Sequence, residues 1–144
     1  MTLSDRLQLR DLLSRYLWCM DTGDAKGLIE TFTADGVVKD VAGTMWGASR
    51  GGAAGFAARY IDPPGRLGGQ HWVQSLAIER TGADACTMTS YWFSVYPPSD
   101  GEGSPAIRAT GRYIDLCTRV DGHWLFREKR IDPWNDETVP EERV

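Results

Sequence analysis

Apolar residues in the first part of the chain recur at the spacing of a helix. Between residues 4 and 22 they lie three or four positions apart, which predicts one amphipathic helix. Ser4 is the predicted N-cap, and Gly23 ends the helix. Asp21 lies at the polar end of the apolar face. That face consists of Leu9, Leu12, Leu13, Tyr16, Leu17 and Met20.

Shorter elements follow the first helix. A second short helix is predicted from its cap at Asp24 through Phe32, and a strand is predicted at 37–41. Residues 51–60 are rich in glycine and alanine and predict a third helix, whose small side chains allow close packing at some cost in helix propensity.

From His71 onward the pattern predicts only strands and turns. Thr, Tyr, Trp, Phe and Val are frequent there, and Asp121-Gly122 is a strong signal for a two-residue hairpin turn. The predicted strands are residues 71–80, 85–96, 106–120 and 123–131. Helices followed by an antiparallel meander predict an α+β fold, in which a curved sheet wraps around the helices as a cone with an open mouth. Such a cavity is a natural small-molecule site.

Length and charge narrow the range of functions. The 144 residues suit one domain, predicted over residues 1–132 and followed by an acidic tail at 133–144. The formal net charge is −4, from 16 basic and 20 acidic residues, and the basic residues are scattered. We expect no nucleic-acid partner and no membrane partner, because there is neither a basic field nor an apolar run of membrane-spanning length.

Cysteine usage and the absence of several motifs argue against other chemistries. Cys19, Cys86 and Cys117 form no CxxC pair, so we expect reduced thiols and a cytoplasmic protein. HExxH motifs and phosphate-binding loops do not occur. We therefore expect no metal and no cofactor.

His71 is the strongest candidate for chemistry. It is one of two histidines and follows Gly68-Gly69-Gln70, where a glycine loop becomes a strand. An imidazole can accept and donate a proton near neutral pH, and a neighbouring carboxylate fixes its tautomer. If the fold brings Asp21 to His71, the chain has a general base with its orienting partner. A structural histidine is the competing interpretation, and His123, beside the hairpin turn, is expected to be exposed.

Several segments together resemble a known family. They are Tyr16 and Asp21 on the first helix, the run Phe32-Thr33-Ala34-Asp35-Gly36-Val37, His71 at a strand start, and a final hairpin that contains Gly111-Arg112-Tyr113-Ile114-Asp115 and Asp121-Gly122-His123-Trp124-Leu125-Phe126. The layout is similar to the SnoaL-like branch of the nuclear transport factor 2-like superfamily, which includes scytalone dehydratase and hexachlorocyclohexane dehydrochlorinase. The resemblance is more specific for the fold than for the chemistry, because one fold hosts many activities.

The resemblance implies roles for individual residues. In those enzymes a helix-end aspartate pairs with a strand histidine inside the cone, which carries over to Asp21 and His71. Tyr16 matches a position that holds tyrosine in the dehydratase and lysine in the dehydrochlorinase. The dehydrochlorinase also uses a basic residue on the last strand to stabilise departing negative charge. Unbulged alternation gives that position to Lys129, and a bulge would give it to Arg130.

The expected function is a cofactor-independent lyase or isomerase that abstracts a proton from a small hydrophobic, aromatic or polycyclic substrate. The predicted substrate-binding residues are Tyr113, Val38, Tyr60 and Trp46. Dehydration, dehydrohalogenation, carbon–carbon cleavage, isomerisation and cyclisation all stay open, since the second histidine of scytalone dehydratase has no counterpart here. The alternative is a non-catalytic binding or assembly module of the same fold, such as an oxygenase small subunit. By analogy with the family we expect a homodimer or a homotrimer.

Overall fold

The part of the chain that the structure describes contains three α-helices and six strands. The computed structural model describes residues 1–61, 68–98 and 102–134. The helices are α1 (Leu3–Thr22), α2 (Ala25–Ile29) and α3 (Gly52–Tyr60), with a short 3₁₀ helix at Ala48–Arg50. The strands are β1 (Phe32–Lys39), β2 (Met45–Trp46), β3 (Gln70–Arg80), β4 (Ala85–Tyr96), β5 (Ala106–Val120) and β6 (His123–Pro133). The predicted acidic tail lies outside the described residues from residue 135 onward.

The described strands form one curved sheet that does not close on itself. Their order is β2-β1-β6-β5-β4-β3, so β2 and β3 are the edges. Strands β3 to β6 form an antiparallel meander, whereas β1 runs parallel to β6. The predicted α+β fold, a cone-shaped antiparallel sheet with N-terminal helices, is confirmed.

The inner face of the sheet packs against the helices. Along β4 and β5 buried residues alternate with more exposed ones, as expected for strands with one face in a core. Leu9 and Leu13 of α1 and Phe56 of α3 belong to the same core. Removal of this apolar surface from water is the main force that holds helices and sheet together.

The N-cap of helix α1 lies two residues before the predicted one. The hydroxyl of Thr2 accepts a hydrogen bond from the N–H of Asp5 at 3.1 Å, and the carboxylate of Asp5 accepts one from the N–H of Thr2 at 2.8 Å. This reciprocal capping box satisfies donors of the first turn. Ser4 is therefore not the N-cap and lies inside the helix.

The predicted second helix is too long. Helix α2 ends at Ile29, and Phe32 is the first residue of β1. The N–H of Phe126 in β6 donates to the carbonyl oxygen of Thr31 at 2.9 Å. This pairing with a strand far along the chain overrides the local preference for helix, and it also extends β1 well before the predicted start at residue 37.

A bulge in β6 changes which of its residues face the interior. The pairing register between β5 and β6 shifts by one residue and leaves Arg127 as the extra residue. The predicted unbulged alternation of β6 is therefore wrong, although Lys129, to which it gave the inward position, does face inward. The buried residues of β6 are Trp124 and Phe126 before the bulge and Lys129 and Ile131 after it.

Gly111 of β5 has no room for a side chain. A Cβ atom there would lie 2.2 Å from the carbonyl oxygen of Asp132 and 2.8 Å from the indole ring of Trp92. Because backbone and packed indole cannot both move away freely, we expect Gly111→Ala to lower the free energy of unfolding by about 1–3 kcal/mol, measured by urea denaturation. Gly47→Ala is the control, since its Cβ would meet only Val37, at 3.9 Å. Equal denaturation midpoints for the two variants would contradict the expectation.

Candidate active site

Asp21 and His71 meet where the end of α1 approaches the start of β3. The Nδ1 atom of His71 lies 2.6 Å from Oδ1 of Asp21. The backbone N–H of His71 also donates to both oxygens of that carboxylate, at 3.2 and 3.0 Å. The structure therefore brings together the two residues that the sequence predicts as a pair, and we call them the dyad.

The contact with Asp21 determines how the imidazole presents its nitrogens. An ionised carboxylate only accepts hydrogen bonds, so the proton of the neutral ring belongs on Nδ1. The other nitrogen, Nε2, then carries a lone pair, and no described residue makes a hydrogen bond to it. Each side chain of the dyad is 18% exposed. The ring is therefore oriented as a base with its acceptor nitrogen available.

A cavity of about 230 Å³ lies against the dyad on the inner side of the sheet. Both dyad residues line it, and Met20, Val41 and Ile131 add aliphatic surface. The aromatic residues of its wall are Tyr16, Phe56, Tyr60, Trp92, Tyr96 and Tyr113. The volume is below the roughly 300–1,000 Å³ of pockets that take drug-sized ligands. It therefore suits a compact, largely apolar ligand.

Tyr16 and Tyr113 bring buried phenols to the cavity wall. Their rings meet edge to face with centroids 6.4 Å apart, and Trp92 stacks on Tyr113 at 5.6 Å. Burial raises the pKa of both hydroxyls above the usual value, and the charge of Asp115 raises them further. Both phenols therefore keep their protons near neutral pH and can donate hydrogen bonds to a ligand oxygen.

Asp40, at the end of β1, is a second carboxylate in the cavity wall, which sequence reasoning missed. It accepts hydrogen bonds from the indole N–H of Trp46 at 2.8 Å and the hydroxyl of Tyr60 at 2.9 Å. The backbone N–H groups of Ala42 and Thr44 donate to its other oxygen. Burial by itself would raise the pKa of Asp40, but these four hydrogen bonds outweigh it and hold the pKa below its usual value. Asp40 is thus an ionised anchor that fixes the Tyr60 ring.

Lys129 faces inward but stops short of the cavity wall. Its Nζ atom lies 2.9 and 3.0 Å from the two oxygens of Asp115. The same atom lies 4.3 Å from the ring centroid of Tyr16 and 3.9 Å from that of Tyr113. Burial lowers the pKa of Lys129 and raises that of Asp115, while their mutual attraction opposes both shifts. This buried pair supports the two tyrosines from behind the wall.

Three other predicted site residues are not part of the wall. Arg130 faces outward and pairs with Glu128 at 2.6 Å, because the bulge at Arg127 keeps Lys129 on the inner face. Val38 is fully buried in the core. Trp46 contributes only through its hydrogen bond to Asp40. The placement of these three residues at the cavity is therefore corrected, whereas Tyr16, Tyr60 and Tyr113 do line it.

Arg108 of β5 supplies the cation of the described cavity wall. Sequence reasoning did not single it out. Regular alternation along β5 would direct Arg108 and the neighbouring wall residue Ala109 to opposite faces. The local sequence gives no sign of the irregularity that brings both residues to the cavity.

Neither a metal cluster nor a membrane helix is found in the parts of the chain that the structure describes. Within residues 1–61, 68–98 and 102–134, no three His, Cys, Asp or Glu side chains are placed to hold one metal ion. Over the same ranges, every helix is too short or too polar to cross a bilayer.

The unclosed cone and its lined cavity define an α+β protein of the nuclear transport factor 2-like class. The profile of the SnoaL-like domain matches residues 1–130, and the chain belongs to that family. The comparison with curated proteins gives no match.

Solved structures share the fold at low sequence identity. A nuclear transport factor 2-like protein with a cystatin-like fold from Novosphingobium aromaticivorans is 22% identical with a TM-score of 0.79, over 93% of this chain and 84% of that one. A scytalone dehydratase-like protein from the same organism is 17% identical with a TM-score of 0.74, over 92% and 86% of the two chains. ActVI-ORFA from Streptomyces coelicolor is 21% identical with a TM-score of 0.75, over 89% and 96%. At these identities the likeness establishes the fold alone.

The buried pair of Lys129 and Asp115 should be sensitive to loss of one partner. We expect Lys129→Met to lower the free energy of unfolding by about 3–5 kcal/mol, because Asp115 is left as an uncompensated buried acid. The double variant with Asp115→Leu should recover much of that loss. Arg130→Met is the control, since its exposed pair with Glu128 is worth about 1 kcal/mol or less. Denaturation midpoints would contradict the expectation if Lys129→Met and Arg130→Met were alike.

Proposed function

We propose that the protein is a cofactor-independent lyase or isomerase in which His71 removes a proton from a carbon atom of a small hydrophobic substrate. The observation that carries the proposal is the Asp21–His71 contact at the wall of an apolar cavity, with Nε2 left without a described partner. Membership of the SnoaL-like family and a fold shared with a scytalone dehydratase-like protein support a catalytic role of this class.

The first step follows from the orientation of the imidazole. Nε2 takes the proton, and the carboxylate of Asp21 stabilises the imidazolium through the hydrogen bond to Nδ1. A general base held in this way accelerates proton transfer by a factor of ~10²–10⁴. The backbone contact between His71 and Asp21 keeps the ring in place as charge develops on it.

The negative charge that develops on the substrate must be stabilised by a hydrogen-bond donor. Tyr16 and Tyr113 are suited to this, because their protonated hydroxyls belong to a preformed wall and need little reorganisation when charge appears on a substrate oxygen. If a leaving group is attached next to the carbanion, its departure gives elimination. If the imidazolium returns the proton to another carbon, the result is isomerisation.

The shape of the cavity limits the substrate. A cavity of about 230 Å³ with aromatic walls favours a compact planar molecule over a large polycyclic one. Tyr60, anchored by Asp40, gives one side of the cavity a fixed ring against which such a molecule can pack. The substrate class proposed is therefore a small aromatic or alicyclic compound with an acidic C–H group.

A non-catalytic binding or assembly module is the second candidate. The observation in its favour is the outer face of the sheet, where Trp72 and Tyr91 are about half exposed and Trp72 stacks on Phe93 at 6.0 Å. Exposed aromatic surface of this kind is typical of interfaces, and it is where we propose that copies of the chain associate. Ligand binding without turnover of any panel member, together with association that depends on this face, would favour the module over the enzyme.

The dyad is tested by replacing each member separately. Wild type, His71→Ala and Asp21→Asn are incubated in D₂O with a panel of small ketones that carry hydroxyl or halide leaving groups. NMR then follows exchange of the acidic C–H and loss of the leaving group. We expect His71→Ala to lower the rate by a factor of ~10²–10⁴. Asp21→Asn should lower it at least about tenfold, because the ring loses the carboxylate that sets its tautomer.

The matched control for the dyad is the second histidine. His123 is exposed beside the β5–β6 turn, so His123→Ala should keep the wild-type rate. Unfolding midpoints of all variants separate loss of chemistry from loss of fold. Full activity of both His71→Ala and Asp21→Asn would remove the proposal.

A further inference from the structure

We infer that the cavity binds an organic anion: a compact apolar body enters between the aromatic rings, and its carboxylate or phenolate oxygen is held by Arg108 at the rim. This inference rests on the proposed function for the identity of the cavity as the substrate site, and it adds a charged group to the substrate. It concerns binding, so its test needs no turnover.

A bulge in β5 directs Arg108 into the cavity. Ser94 pairs with Ala109, but the next residue of β4, Val95, pairs with Ile107. Arg108 is therefore the extra residue of the pairing. Regular alternation would send Arg108 and Ala109 to opposite faces of the sheet, yet both line the cavity. Bulges beside active sites commonly re-aim a side chain in this way.

Arg108 has no partner of its own within the part of the chain described. Other arginines are paired: Arg15 with Glu30, Arg119 with Asp5, and Arg130 with Glu128. No hydrogen bond or ion pair of Arg108 is found with residues 1–61, 68–98 or 102–134. Arg108 thus lines the cavity with a guanidinium whose five N–H donors have no described partner.

The carboxylates of the described cavity wall are already committed to other groups. Asp21 accepts from the ring and the backbone of His71. Asp40 accepts four hydrogen bonds, including that of the Tyr60 hydroxyl. Both carboxylates already accept hydrogen bonds from other groups, so neither needs Arg108 as a donor. The acceptor that complements Arg108 must therefore come with the ligand.

The chemistry of guanidinium favours a charged oxygen as that acceptor. A planar guanidinium binds a carboxylate through two parallel hydrogen bonds, and such charge-assisted bonds are about twice as strong as neutral ones. The apolar wall meanwhile covers the rest of the ligand. A neutral isostere would keep the apolar contacts and lose only the charged contact, so the two contributions can be separated by experiment.

The inference is tested with 2-naphthoate and 2-naphthamide, which share a ring system and differ in charge. Isothermal titration calorimetry should show wild type binding naphthoate about tenfold more tightly than naphthamide, with the preference smaller at high ionic strength. Arg108→Met should abolish the preference while the Kd for naphthamide stays within about twofold. Arg108→Lys should keep part of the preference, because the charge remains without the planar fork.

Two control variants show whether the preference for naphthoate depends on Arg108 itself. Arg127→Met removes an exposed positive charge at the β6 bulge, away from the cavity, and should keep the naphthoate preference. His71→Ala should also keep it, even where catalysis is lost, so failure of the proposed reaction and failure of this inference give different results. Equal affinities for the two probes in wild type, no measurable naphthoate binding, or a preference that persists in Arg108→Met would each overturn the inference.

Discussion

The carboxylate of Asp21 connects the fold and the site. It accepts hydrogen bonds from the backbone and the ring of one residue, His71, and so joins the last turn of α1 to the first residues of β3. Strand β3 is an edge among the described strands, where its one neighbour is β4. At His71 the carboxylate therefore supplies an acceptor for a backbone N–H at the start of this edge strand, and the same carboxylate also orients the imidazole.

The interior of the cone follows one rule for polar groups. A charge removed from water is costly unless it is paired and hydrogen-bonded. Asp21 meets His71, Asp40 meets Tyr60 and Trp46, and the third carboxylate, Asp115, meets Lys129 behind the two wall tyrosines. These fixed polar contacts hold aromatic rings in defined positions around an otherwise apolar cavity. Arg108, at the rim and in contact with solvent, is the cation to which the rule does not apply.

Sequence patterns predict the regular parts of the fold well. The bounds of β4 and β5 agree with the predicted ranges, because alternation over a dozen residues is a strong signal. Asp121-Gly122 forms the predicted turn, with φ values of 50° and 83°. The predicted pairing of Asp21 with His71 is also found. It could be predicted because the hydrophobic pattern located the end of the first helix and the start of the strand, and the family resemblance paired the two positions.

The irregular parts could not be predicted, because they depend on contacts between distant residues. Single-residue bulges bring Arg108 to the cavity and put Lys129 on the same face as Trp124 and Phe126, so the inward position of Lys129 was predicted but for the wrong reason. A bulge leaves no periodic trace in one sequence, and a shift of one residue reverses every subsequent side chain. The environment of Asp40 depends likewise on Tyr60, which lies twenty positions away at the end of helix α3.

The order of the strands has a consequence for synthesis of the chain. Strand β6 lies between β1 and β5, so β1 cannot find its parallel neighbour until β6 has left the ribosome. Until then β1 and β5 both present unpaired backbone edges, which are templates for strand addition from other chains. A nascent or truncated polypeptide that ends before His123 would thus be exposed to aggregation, and the pairing of β6 with both β1 and β5 removes these two edges in the finished protein.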